Sequence, residues 1–149
     1  GVVVQEQATP TGDARLLRGG LPWPVPTYRV VRRFGEVRDP RYGTRTVSNG
    51  LAFAVTPGSR VHAIAAGKVA YAQFFKGYGN LVIVQHGGQV FSLYAQLSSI
   101  LAAAGQKVVM GEEVGIAGPD PTGEGNFYLE VRVGQDAQDP LAWLKPAGK

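Results

Sequence analysis

From Ser48 to Gly134 the chain is a succession of strand-length runs closed by glycine-bearing turns: SNGLAFAV, RVHAIAAGKVAYAQFF, NLVIVQHG, QVFSLYAQL, KVVMGEEVGIAG and NFYLEVRVG. Short runs rich in Val, Phe, Tyr and Leu with this punctuation read as strands, and none sustains the 3.6-residue period of a long amphipathic helix. Twenty-one glycines and ten prolines in 149 residues fit many tight turns. The expected fold is all-β and mainly antiparallel, with few short helices. SSILAAAG, closed by Gly105, is the one helix candidate of note. A chain of this length buries roughly two-thirds of its unfolded surface, so the fold requires no cofactor. With no cysteine, disulfides and thiolate metal sites are excluded.

The opening GVVVQEQATP lacks the basic start and long apolar core of a signal peptide, and no stretch approaches the ~20 apolar residues of a membrane span. Residues 1–20 read as a tail or connector and 21–149 as one domain. LPWPVPTYRVVRRFG, with three prolines, suits a sheet edge; RDPRYGTRT reads as a turn-rich loop, and DPLAWLK as a closing turn that packs Trp143 and Leu144. The net charge of +4 is concentrated: residues 1–47 hold eight arginines against four acidic residues. No aromatic pattern for base stacking accompanies them, so nucleic acid is not an expected partner.

Side chains alternate across a strand. In SNGLAFAV this puts Leu51, Phe53 and Val55 on the core face, leaving Ser48, Gly50, Ala52 and Ala54 opposite. In NFYLEVRV it puts Phe127, Leu129, Val131 and Val133 inward and Asn126, Tyr128, Glu130 and Arg132 outward. In QVFSLYAQL it puts Phe91, Leu93, Ala95 and Leu97 inward and Ser92, Tyr94 and Gln96 outward. The three outward faces together suggest a shallow groove of small residues and tyrosines.

The ordered elements GYGNLVIVQHG, SLYAQLS and GQKVVMGEEVG, within a match from about Trp23 to Leu144, resemble the lysostaphin-like zinc peptidases, or LytM domains, which cut cell-wall peptide cross-links. Active members bind zinc through a His-x-x-x-Asp element and the second His of His-x-His. The first His of that pair and the His of Leu-Tyr-Ala-His-Leu assist catalysis. Here the corresponding positions are Ser48 and Ala52, Asn126 and Tyr128, and Gln96. Zinc needs nitrogen, oxygen or thiolate ligands of the His, carboxylate or Cys kind, so neither metal nor catalytic residues are expected. His62 and His86 fall at neither kind of position, and Glu130 reads as a structural contact.

A ligand-stripped peptidase domain resembles the murein hydrolase activators of the EnvC type, which are catalytically dead and switch on zinc-dependent N-acetylmuramoyl-L-alanine amidases during cell separation. The resemblance implies a periplasmic or extracellular protein of the cell envelope. It also implies a groove for the regulatory helix of an amidase, lined by Asn49, Ala52, Tyr78, Leu81, Tyr94, Tyr128 and Arg132. Two alternatives remain: the same groove holding peptidoglycan without cleaving it, and a metal-free hydrolase built on Glu130, Tyr128 and Arg132.

Overall fold

The structure is a computed structural model and describes residues 13–147. Among them twelve strands form: β1 (Arg29–Arg32), β2 (Gly35–Arg38), β3 (Arg45–Ser48), β4 (Leu51–Val55), β5 (Ser59–His62), β6 (Gly67–Phe75), β7 (Gly79–Gly87), β8 (Val90–Ile100), β9 (Lys107–Val108), β10 (Glu113–Ala117), β11 (Gly125–Val133) and β12 (Asp136–Gln138). Two 3₁₀ turns, Ala14–Leu17 and Pro140–Ala142, are the helical elements among the described residues. Ten strands make one sheet whose main path runs β1-β4-β11-β8-β7-β6-β9; β10 pairs with β8 and β5, and β12 pairs with β11. Neighbouring strands pair antiparallel, as the glycine punctuation predicts. The β7–β8 hairpin shows the reason locally: its two loop residues, Gly88 and Gln89, have φ of 60° and 64°, the left-handed pair that matches the twist of a tight hairpin.

The main core lies on one face of the sheet. Leu51 and Phe53 of β4, Val82 and Val84 of β7 and Phe127, Leu129 and Val131 of β11 are all buried there with Val61, Ile64 and Val114. Trp143 and Leu144 close it, 1% and 2% exposed, as DPLAWLK leads one to expect. The end of the chain is fastened to the start of the domain by a Leu21–Leu144 bridge and by Trp23 Nε1 donating to the Lys145 carbonyl at 2.8 Å. Of the expected connector, residues 1–12 lie outside the described residues, whereas Ala14 is already buried in the core.

Three expectations change. SSILAAAG is not helical: Ser99 and Ile100 pair with Ile116 and Gly115 of β10, and this pairing overrides the helix propensity of its alanines, a weak prior that tertiary context outweighs. RDPRYGTRT is not a loop throughout, since Arg38 and Arg45 pair as the last rung of the β2–β3 hairpin, whose turn Asp39 caps by accepting from the Arg41 and Tyr42 N–H groups. The largest change is in β8, where Ser92 and Tyr94 are the fully buried residues facing the main core while Leu93 and Ala95 pack on the opposite face.

A bulge causes that inversion. Between Val82↔Tyr94 and Asn80↔Leu97, β8 spends one residue more than β7, and Gln96 sits there with φ of 63°. A bulge flips the parity of everything beyond it, so Leu97 and Tyr94 share the core face. The polar atoms this buries are paired. Ile64 N–H donates to Tyr94 Oη at 2.9 Å, Ser92 Oγ lies 2.7 Å from both Tyr94 Oη and His86 Nε2, and His86 Nδ1 lies 2.8 Å from the Ala66 carbonyl. Ile64 N–H can only donate and Ala66 C=O only accept, so the one arrangement leaving no proton unpaired runs from Ile64 through Tyr94 and Ser92 to a neutral His86. Burial pushes the Tyr94 phenol up to about 12 and the His86 imidazole below its ordinary value.

Candidate functional site

On the face opposite the core, β4, β11 and β8 run side by side, and Ala52, Tyr128 and Ala95 stand in register across them. Gln96 follows Ala95 and is exposed. Ser48 ends β3 beside this row, its Oγ buried and donating to the Gly50 carbonyl at 3.0 Å. Gly50 is tightly constrained, because a Cβ there would run into the Leu129 carbonyl and the Tyr128 ring. Ser48, Gln96 and Tyr128, with Arg32, Val47, Asn49, Gly77, Tyr78 and Glu130, line a cavity of about 240 Å³. Its neighbour, about 400 Å³, shares Gln96 and runs along Phe74, Asn80 and Ser98 to Asp120 and Asn126. Tyr128 and Glu130 of β11 thus lie at the smaller cavity and Asn126 at the larger, while no residue of β4 lines either.

Glu130 organises the smaller cavity. Its side chain is 2% exposed, and it accepts from Tyr128 Oη at 2.7 Å and Tyr78 Oη at 3.1 Å on one oxygen, and from Arg132 Nε at 2.8 Å on the other. Arg132 completes the pair with Nη2 at 2.7 Å from the same carboxylate, and its Nη1 donates to the Gln135 carbonyl. Burial alone would make the Arg132 guanidinium easier to deprotonate, but Glu130 outweighs it and the proton is held more firmly than usual. Burial and the hydrogen bond to Glu130 raise the Tyr128 phenol well above its ordinary value, so it stays a neutral donor. Tyr78 and Tyr128 lean together with centroids 6.3 Å apart, continuing an aromatic wall through Phe75 to Tyr71.

The residues singled out for the groove do not all lie in it. Asn49, Tyr78 and Tyr128 line the cavity, Ala52 is half-buried beside Tyr128, and Asn126 lines the larger cavity. Tyr94 is 0% exposed on the core side, stacked against Phe127, and is no groove residue; parity was read through the bulge. Leu81, 2% exposed, lies under the groove with Leu93 and Ala95. Arg132 is committed to Glu130 rather than free at the surface. Three lining residues are not singled out by the sequence: Arg32, on edge strand β1, Val47, 70% exposed on β3, and Gly77, in the β6–β7 turn. A hairpin signal in RDPRYGTRT would have brought Val47 to the rim.

The residues at the zinc and catalytic positions do not fit a metal. Ala52 has no donor atom, Tyr128 is a protonated phenol bonded to Glu130, Asn126 donates its amide to Asp120, and the Ser48 hydroxyl is spent on Gly50. Among the described residues no group of three His, Cys, Asp or Glu side chains could hold one. Glu130 has no free face for taking a proton from a substrate.

A sequence profile for Peptidase family M23 matches residues 46–140. Murein hydrolase activator EnvC of Escherichia coli is 33% identical over 90% of this chain and 31% of its own length. Murein hydrolase activator NlpD of the same organism is 29% identical over 82% of this chain and 31% of its own. The chain thus spans about a third of these curated relatives. Among solved structures, the catalytic domain of lysostaphin from Staphylococcus simulans superposes with a TM-score of 0.65 at 23% identity, covering 76% of this chain and 90% of that one, a likeness of fold. The chain belongs to peptidase family M23 and has the LytM, lysostaphin-like fold.

Proposed function

We propose that this chain is a non-catalytic murein hydrolase activator of the cell envelope, which binds a zinc-dependent cell-wall amidase and switches it on by seating the amidase's regulatory segment in the groove. One observation carries the reading: Ser48, Gln96 and Tyr128 line a cavity in which Glu130 is fully engaged by Tyr78, Tyr128 and Arg132, while exposed apolar and aromatic surface stands beside it. A nucleophile or general base needs a free lone pair facing substrate, and Glu130 has none to spare. A rigid, preorganised surface is what docking requires, because little is lost in ordering it. Val47 at 70% exposure and Phe75 at 49% supply apolar area beside Tyr78 and Tyr128, and an amphipathic helix in a groove is a recurring mode of peptide recognition. The names of EnvC and NlpD, both murein hydrolase activators, support the same role.

The test is release of soluble fragments from purified peptidoglycan. A cognate amidase should be slow alone and accelerated by this protein, which releases nothing by itself. Fragment release by this protein alone, resistant to chelator and abolished by Tyr128→Ala, would overturn the non-catalytic reading.

A further inference from the structure

Between Arg29 and Arg45 six arginines stand against Glu36 and Asp39, an excess of four that equals the net charge of the whole chain. All six are exposed. They lie on and just after edge strand β1 and on the β2–β3 hairpin, which forms a two-stranded sheet of its own outside the main one. Little of this charge is answered internally. Glu36 pairs with Arg45 at 2.8 Å, and the Asp39 carboxylate is taken up by the backbone N–H groups of Arg41 and Tyr42. Arg38 and Arg45 stand directly opposite in register, and like charges so placed cost a hairpin stability. The turn beyond them is hydrogen-bonded: Gly43 N–H donates to the Asp39 carbonyl at 2.8 Å and Asp39 N–H to the Thr44 carbonyl at 2.7 Å. At its tip Tyr42 is 72% exposed, with the Arg41 guanidinium 5.3 Å from the centre of its ring.

A tyrosine has an apolar body and a polar end, which suits it to the boundary between lipid headgroups and hydrocarbon. Arginines around it suit a surface of phosphate anions. An acidic peptide offers a single row of carboxylates and reaches one face of a hairpin. The cations here extend from β1 to the last rung and the turn, a field that a broad anionic surface can answer. We propose that the β2–β3 hairpin docks on an anionic phospholipid bilayer, meeting it tip first with Tyr42 in the headgroup layer and Arg38, Arg41 and Arg45 on lipid phosphates. This surface is separate from the amidase groove, since none of these four residues lines either of its cavities.

The experiment is cosedimentation of the protein with vesicles of phosphatidylcholine, alone and mixed with phosphatidylglycerol. The expected result is partition onto the mixed vesicles only, weakening as salt is raised because exposed charges are screened. Arg38→Ala and Arg41→Ala should each weaken partition about fivefold, the share of one cation near an anionic surface, and Tyr42→Ala should weaken it as well. Because Arg38→Ala relieves the opposed pair, it should melt no lower than the wild type. Lys107→Ala removes the same charge from β9, at the other end of the main sheet path, and should partition as the wild type does. The proposal is overturned if the protein stays in the supernatant with the mixed vesicles, or if Arg38→Ala and Arg41→Ala partition as the wild type does. It fails equally if Lys107→Ala loses as much as they do, which would reduce the attraction to net charge. Binding of poly-L-glutamate through Arg38 and Arg41, with no binding of vesicles, would also overturn it.

Discussion

Tyr128 donates a 2.7 Å hydrogen bond to Glu130, two residues along the same face of β11. A side chain lining the groove is thus bonded to a fully buried carboxylate, and the surface of the groove is coupled to the stability of the sheet beneath it. Tyr78 and Arg132 share that carboxylate, so substitutions in this cluster act on stability as well as on binding.

Arg132→Ala should therefore destabilise the protein markedly. It removes the one cation bonded to Glu130, and a buried charge left without its partner costs about 3 kcal/mol or more. That is comparable to Leu129→Ala, where a cavity in the core costs about 2–5 kcal/mol. Urea unfolding should show both variants with lowered midpoints. An Arg132→Ala midpoint equal to that of the wild type would mean that Glu130 is satisfied without it.

Stability should depend on pH through His86. Its imidazole is depressed in the fold, first by burial, against an unfolded value of about 6.5. Below that value the unfolded chain binds a proton the folded chain resists, so stability is fully present above about pH 6.5 and declines as pH falls toward the folded pKa. Protonation would also reverse the chain through Ser92 and strand the Tyr94 hydroxyl proton. Melting temperature should fall between pH 6.5 and 5, and His86→Phe, less stable at neutral pH, should show a shallower fall. Parallel pH profiles for the two proteins would rule this out.

Zinc should leave the melting temperature of the wild type unchanged, because ligands that bind only the folded state raise it by mass action and the former ligand positions offer none. Ser48→His, Ala52→Asp and Tyr128→His combined should create a zinc-dependent rise. Ala52 and Tyr128 are already opposite each other in register. A folded triple variant indifferent to zinc would show that the backbone no longer holds ligand geometry.

Much of this was legible in the residues. The glycine-punctuated runs mark the strands, and parity in LAFAV and NFYLEV assigns Leu51, Phe53, Val55, Phe127 and Leu129 to the core, where they are buried. What defeated it was local and physical. A bulge at Gln96 leaves no mark in a pattern of Leu93, Ala95 and Leu97, yet it sends Tyr94 to the core, where Ser92 and the Ile64 N–H pair its hydroxyl and His86 backs Ser92. The alanines of SSILAAAG speak for a helix, but β10 pairs with Ser99 and Ile100 just before them and draws the start of the segment into the sheet. Arg132 reads as a free cation because its partner, Glu130, lies on the same strand two residues away, where alternation suggests only a shared face.

The central claim is that the cavity between Tyr128, Val47 and Gln96 seats a partner segment. The measurement is the affinity for a cognate amidase, with melting recorded alongside, of the wild type, Tyr128→Ala and Val47→Asp. Val47 touches no part of the Glu130 network and is largely exposed, so Val47→Asp should melt as the wild type does. A side chain at the centre of an interface costs about 2 kcal/mol or more when lost, which is roughly thirtyfold in affinity. Both variants should lose about that much and stimulate the amidase correspondingly less. Binding and stimulation at wild-type levels in both folded variants would contradict the claim.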